Sequence, residues 1–276
     1  MSQTKLPTPD SPSISEQVTT QQGQVSPRES QPKLAKVLHV INGEHYSGAE
    51  RVQDLLALRL GEFGYEVSFA CVKAGQFAYH RQSKEAGLHW AAMRGKFDLR
   101  VVPRLVQLIR KNNYQIVHAH TPRTLMVSRL AAAWAKVPLV YHVHSPTSRD
   151  STRGWANRVN AWVEKVGARG AARLIPVSHS LGRHMQSEGF SPSVLRVVPN
   201  GVPSLANVPH RSCPKGTWTI GTVALFRPRK GTEVLIDALA ELRAQRIDAR
   251  LLCVGGFETP EYEQQLKQRV AGAGRI

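Results

Sequence analysis

From Leu34 onward the chain alternates short runs of β-favouring apolar residues with longer stretches in which apolar residues recur every three or four positions. The first unit sets the pattern. Val37 to Ile41 is an apolar run, a loop containing Gly and Ser follows, and Glu50, Val52, Leu55, Leu56 and Leu60 then fall at helical spacing. Further strands are predicted at Glu66 to Val72, Leu88 to Met93, Gln115 to His120, Leu139 to His144, Arg173 to Ser178 and Val194 to Pro199. Helices are predicted between them, at Asp98 to Lys111, Leu125 to Ala135, Trp155 to Ala172 and Leu181 to Glu188. Such alternation implies right-handed βαβ units and a parallel sheet covered by helices on both faces.

Pro199, Asn200, Gly201, Val202 and Pro203 break the pattern, and the polar stretch to Gly216 reads as a linker. A second series follows, with strands at Thr219 to Leu225 and Arg250 to Val254 and helices at Thr232 to Ala244 and Glu261 to Val270. A third strand is due where the sequence stops, so the second domain is expected to be incomplete, two βα units being too little sheet to stand alone. The expected organisation is a disordered leader over residues 1–33, a first α/β domain over 34–203 and the start of a second over 204–276. The leader is rich in Ser, Gln, Pro and Thr and lacks the apolar surface to offset the entropy of ordering.

Composition narrows the partners. Across 276 residues, 37 Lys and Arg face 20 Asp and Glu, a formal charge of +17 that attracts polyanions in general. The charges are dispersed along amphipathic segments and no nucleic-acid-binding signature is present, so nucleic acid is not an expected partner. No apolar run approaches the ~20 residues that span a bilayer and no apolar signal region follows Met1, which favours a cytoplasmic protein. Cys71, Cys213 and Cys253 are widely scattered, without metal or disulfide spacing.

Three stretches carry candidate chemistry. Gly48 sits where the first strand–turn–helix opens its helix, a place where unpaired N–H groups and the helix dipole favour an anion and no Cβ holds it away. His118 with His120, and His142 with His144, form HxH pairs at the ends of predicted parallel strands. Period two puts both members of each pair on one face, at the strand ends where open α/β sheets bind ligands. Such histidines can contact a substrate or move a proton, can be plain hydrogen-bonded sheet-edge residues, or can hold a metal. Against metal, Glu44 and Asp150 are the nearest carboxylates in sequence and no third ligand falls at a motif spacing. Arg227, Arg229 and Lys230 lie between a predicted strand end and a helix start, a setting suited to a diphosphate. A dinucleotide-binding oxidoreductase is excluded, because no GxGxxG follows Val37 to Ile41.

In order, these residues read SGAE, HAH, HVHS, PVSHSL, VVPNGV and a basic loop with KG at a helix start. From about Lys36 to the end, that order resembles a GT-B-fold glycosyltransferase of the retaining family-4 type. The resemblance implies two Rossmann-like domains, a nucleotide-sugar donor, a glycan or lipid-linked acceptor as in polysaccharide biosynthesis, and no cofactor or required metal. It implies that His120 is the active-site histidine, that Gly48, Arg227 and Lys230 serve the donor, and that His144 contacts sugar or acceptor. Asn200 and Gly201 match the hinge. Where the family commonly carries GR before the Lys, this chain has Ala224-Leu225, with Arg227 displaced along the loop as its substitute. The two glutamates that grip the donor in the family belong beyond the third strand of the second domain, after the last residue here. A non-catalytic sugar- or lipid-binding remnant and a metal-dependent hydrolase are the competing readings. Peripheral membrane contact is a further expectation, through Arg100, Arg104 and Lys111 with Val102, Val106 and Ile109 on the Asp98 to Lys111 helix.

Overall fold

The computed structural model describes residues 35–95, 98–145, 164–204 and 212–272. The expected leader and the first half of the expected Trp155 to Ala172 helix lie outside them, with 164–168 helical. Two compact units divide at Val202 and Pro203.

In the first unit the elements run β1 (Ala35–Ile41), α1 (Gly48–Arg59), β2 (Tyr65–Cys71), α2 (Gln76–His80), β3 (Gly87–Trp90), α3 (Val101–Lys111), β4 (Ile116–Ala119), α4 (Pro122–Ala135), β5 (Leu139–Val143), β6 (Arg173–Pro176) and α5 (His179–Ser187). All six strands pair in parallel, in the order β3-β2-β1-β4-β5-β6. Chain progression reverses between β1 and β4, so the crevice beyond their carboxyl ends is the topological switch point.

Period two divides β1 between two cores. Leu38 and Val40 point into the larger core, with Leu105, Ile109 and Leu125 from α3 and α4. Val37 and Ile41 point the other way, with Phe69 and with Tyr46 and Ala57 from the α1 side. His39 shares the parity of Val37 and Ile41 and is fully buried on that second face.

The loop joining β1 to α1 is fixed from both ends. Gly43 turns the chain with φ +81°, where a Cβ would meet the Lys73 carbonyl oxygen at 2.7 Å. Tyr46 donates its hydroxyl to Asp54 at 2.7 Å, and Asp54 also accepts from the Gln82 and Ser83 amides at 2.7 and 2.9 Å. Burial raises the Asp54 pKa, but the hydrogen bonds from Ser83, Gln82 and Tyr46 outweigh that and leave it below its ordinary value.

Three expectations are corrected. The buried face of α1 carries Glu50, Gln53 and Asp54 rather than an apolar stripe, because this helix begins against a polar site and is tied down through Asp54. On α3, Val102, Val106 and Ile109 belong to the core, so its exposed side offers the basic residues without that apolar partner surface. Val194 to Pro199 forms a single bridge, Leu174 to Leu195, instead of a strand; Pro192 and Pro199 flank it and supply no N–H to a ladder.

The second unit pairs β7 (Trp218–Val223) with β8 (Ala249–Val254) in parallel and adds α6 (Thr232–Ala244) and α7 (Pro260–Gly272). Phe226, Ile236, Tyr262 and Leu266 form its core. Among the described residues no helix is long and apolar enough to cross a membrane.

Candidate functional site

Register, more than sequence proximity, builds the site. His39 of β1 is the direct neighbour of His118 of β4. His118 in turn faces Val140 of β5, so His120 and His142, each two residues further along a parallel neighbour, share that face. His144 lies just beyond β5 on the same parity. Five imidazoles thus gather at the carboxyl ends of β1, β4 and β5, at the switch point. Ring centroids lie 4.2 Å apart for His118 and His120, 4.6 Å for His39 and His118, and 4.5 Å for His142 and His144.

His39, His118, His120 and His142 are buried and His144 is half-buried. His120 Nε2 meets His39 Nδ1 at 3.0 Å, and His120 Nδ1 meets His144 Nε2 at 3.4 Å. The Nε2 atoms of His39 and His118 and both ring nitrogens of His142 have no hydrogen-bond partner among the described residues. Burial and the neighbouring imidazoles disfavour the charged form: His39 is pushed down to about 3 and His142 to about 2. His118 and His120 move the same way for the same reasons. His144 is lowered by burial, which outweighs the Glu50 carboxylate pulling it up. The site therefore presents neutral imidazoles.

Two helix N-termini flank them. The α1 N-terminus opens at Gly48, where a Cβ would meet nothing within 4 Å, so packing among the described residues does not require glycine. Ser47, at its N-cap, donates its hydroxyl to Glu50 at 2.6 Å and its amide to the same carboxylate at 3.3 Å. The α4 N-terminus follows His120 directly: Thr124 Oγ1 accepts from the His120 and Thr121 amides at 3.2 and 3.0 Å. Arg123 sits half-buried in that first turn, close enough to Glu44 to lower its pKa, after the larger effect of the Lys73 hydrogen bond.

In the second unit, Arg227 gives Nη1 to Glu258 at 3.0 Å. Lys230 is exposed and ends a 3-10 turn, after which Gly231, at φ +68°, starts α6. Among the expected donor residues the structure thus leaves Lys230 outward while an acid engages Arg227. A 330 Å³ hollow in this unit has an apolar floor of Phe226, Ile236 and Leu266, with Arg243, Arg250 and Lys267 also lining it.

Sequence reasoning singled out Gly48 and the two pairs His118 with His120 and His142 with His144 in the first unit, and it missed His39, Arg123 and the placement of Glu50. His39 is the one polar residue between Val37 and Ile41, and only its register with His118 reveals it. Glu50, and not the carboxylates nearest in sequence, is the acid whose charge acts on His144; Glu44 pairs with Lys73, and Asp150 lies outside the described residues.

The sequence model of Glycosyltransferase Family 4 matches residues 46–204. The phosphatidyl-myo-inositol mannosyltransferase of Mycobacterium leprae is 29% identical over 185 residues, covering 64% of this chain and 46% of that protein. The UDP-Gal:alpha-D-GlcNAc-diphosphoundecaprenol alpha-1,3-galactosyltransferase of Escherichia coli is 33% identical over 107 residues, 38% of this chain and 28% of that protein. The chain spans less than half the length of these curated relatives. In structure it is similar to Anabaena HepE in complex with UDP and glucose, with a TM-score of 0.68 and 21% identity over 87% of this chain and 66% of that one. MurG of Acinetobacter baumannii is similar at a TM-score of 0.54 and 12% identity, over 87% of this chain and 65% of that one. The α/β class and the GT-B likeness expected from the sequence are borne out.

Neutral buried imidazoles fix a pH dependence. Below about pH 6.5 the unfolded chain takes up protons that folded His39 and His142 refuse, so stability complete above that pH is lost as pH falls. The loss is roughly 1 kcal/mol per pH unit for each imidazole. Urea unfolding in chelator-treated buffer should find His142→Phe near wild type at pH 7.5 and more stable than wild type at pH 5, by roughly 1–2 kcal/mol. A variant that is less stable at pH 5 contradicts the assignment.

Proposed function

The chain belongs to glycosyltransferase family 4, and from that premise we propose that it moves a sugar from a nucleotide-sugar donor to a glycan or lipid-linked acceptor, with retention and without a required metal. Support from relatives comes from what their names state: phosphatidyl-myo-inositol and diphosphoundecaprenol acceptors, and a solved relative in complex with UDP and glucose. The observation that carries the reading is the crevice at the switch point, where two helix N-termini and neutral His120 and His144 face the same space. Glycosyl transfer develops positive charge at the anomeric carbon and negative charge on the departing diphosphate. In the first unit the N–H groups at the start of α1 suit an anion, and in the second unit, taken by itself, the exposed ammonium of Lys230 suits a donor phosphate. A neutral His120 can hydrogen-bond a sugar hydroxyl without adding positive charge beside the oxocarbenium-like centre.

Gly48 supplies close approach to the donor, since its missing side chain leaves space that nothing else in the described residues fills. Arg227 contributes less than its sequence position implied, because its charge is already answered by Glu258. Peripheral membrane contact, on the cytoplasmic face, belongs to the same reading. Its surface is the basic side of α3 with Arg110 and Lys111, beside the exposed Trp134 of α4, whose carbonyl Arg110 holds at 2.9 Å. Trp and basic residues together suit an anionic interface.

A panel of nucleotide sugars, scored for nucleoside diphosphate release, tests the chemistry. Release with at least one donor, unchanged by chelator, is expected. Lys230→Ala should lower kcat/KM roughly 30- to 1000-fold, the equivalent of about 2–4 kcal/mol of lost anion stabilisation. Gly48→Ala should keep stability within about 1 kcal/mol of wild type yet cut turnover on the order of 100-fold by displacing the donor. Chelator-sensitive hydrolysis would instead favour the metal-dependent hydrolase, and silence with every donor the non-catalytic remnant. For the membrane, vesicle flotation should depend on anionic lipid and weaken in Trp134→Ser; equal flotation with neutral vesicles removes that part.

A further inference from the structure

A hollow of 380 Å³ opens in the first unit where β5 begins and just ahead of β6, at the edge of the sheet opposite the imidazoles. Its floor is apolar, with Ala132, Val137 and Leu139, while Arg129 of α4 and Arg169, just past the helical turn 164–168, also line it. Arg129 is half-buried. Its guanidinium lies across Gly170, where a Cβ would come within 0.8 Å of Nη1, so it rests on bare backbone. Neither arginine has an ion pair or a side-chain hydrogen bond among the described residues. Arg173 stands beside the rim: its Nη1 donates to the carbonyl of Ala172 at 2.7 Å, and Ala172 lines the hollow.

Arginines beside helix ends commonly cap the last carbonyls, but here those carbonyls are already taken. In α4 the Ala132 and Ala133 carbonyls accept from the Val137 and Lys136 amides at 3.0 and 3.3 Å, and those of Gly167 and Ala168 accept from the Gly170 and Ala171 amides at 3.4 and 3.0 Å. Two guanidinium groups thus share one hollow with no backbone acceptor to draw them there. Like charges brought together repel. Each guanidinium carries five N–H donors in a fixed fork, whose best partner is a pair of anionic oxygens. We propose that this hollow binds a phosphate group between Arg129 and Arg169. Two cations match a dianion better than the single charge of a carboxylate, and a tetrahedral phosphate offers oxygens to both forks. Trp134, exposed on the same last turn of α4, puts the hollow beside an apolar surface, so a lipid headgroup and a soluble phosphate share the required chemistry. The site lies a strand's length from the crevice at the switch point and stands whether or not the transfer reading holds.

The full chain, free of any affinity tag, is titrated with inorganic phosphate at pH 8 and constant ionic strength and followed in ¹H–¹⁵N spectra. Saturable shifts of the Gly170 and Ala171 amides and of the Arg129 Nε–H are expected, with none when chloride replaces phosphate. Shifts at the Gly48 amide read the transfer site separately. Arg129→Gln and Arg169→Gln should each weaken binding by about tenfold or more, while Arg59→Gln on α1 should leave it unchanged. Flotation on phosphatidic acid vesicles separates the two sources: a fall in both variants identifies a lipid headgroup, and flotation equal to wild type identifies soluble phosphate, either result supporting the site. Circular dichroism verifies the fold of each variant, and either one alone suffices. Absence of saturable shifts at Gly170 and Arg129 overturns the proposal, as does phosphate binding that survives unchanged in a folded Arg129→Gln or Arg169→Gln.

Discussion

The pairing of β1 with β4 is the constraint on which the first unit depends. It puts His39 beside His118 at the point where the sheet reverses direction. Parallel strands covered on both faces are normally near-continuous apolar runs, and from Val37 to Ile41 β1 is one except for His39. Placing an imidazole there has a desolvation cost, and the structure meets it by keeping the rings neutral and packing them against one another and edge-to-face against Phe69, 5.7 Å from His39. A one-residue slip of β4 would turn His118 and His120 to the opposite face and bury Val117 and Ala119 among the imidazoles.

Around that register the loops are held by fixed polar contacts. Asp54 gathers Tyr46, Gln82 and Ser83, which fixes the approach to Gly48. Thr124 holds the amide of His120, which fixes the start of α4. Both helices therefore begin at the same edge as the imidazoles, and their orphan N–H groups face the crevice beyond the strand ends. Anion binding and sugar contact, as proposed, both draw on that single arrangement.

Much of this was legible in the sequence. Alternating periodicity gave the strand and helix order, and HxH at strand ends gave four of the five imidazoles because period two is a local property. What escaped is what depends on neighbours distant in sequence. His39 becomes meaningful only through a partner 79 residues away in β4, paired in register. The buried face of α1 could not be anticipated, since Glu50, Gln53 and Asp54 read as solvent-facing until the helix meets a polar site. On α3 the apolar positions looked free for a lipid surface and prove to fill the core. Arg227 was recognisable as a cation but not as the partner of Glu258, 31 residues on.

Protonation of the imidazole rings tests the central claim most directly. Long-range ¹H–¹⁵N spectra of chelator-treated chain labelled in its histidine rings, at pH 5.5, should find His39, His118, His120 and His142 uncharged, each in one tautomer. Imidazolium signals from these four at that pH would mean that the rings are not packed together in a buried face, and the account of the site would fall with them.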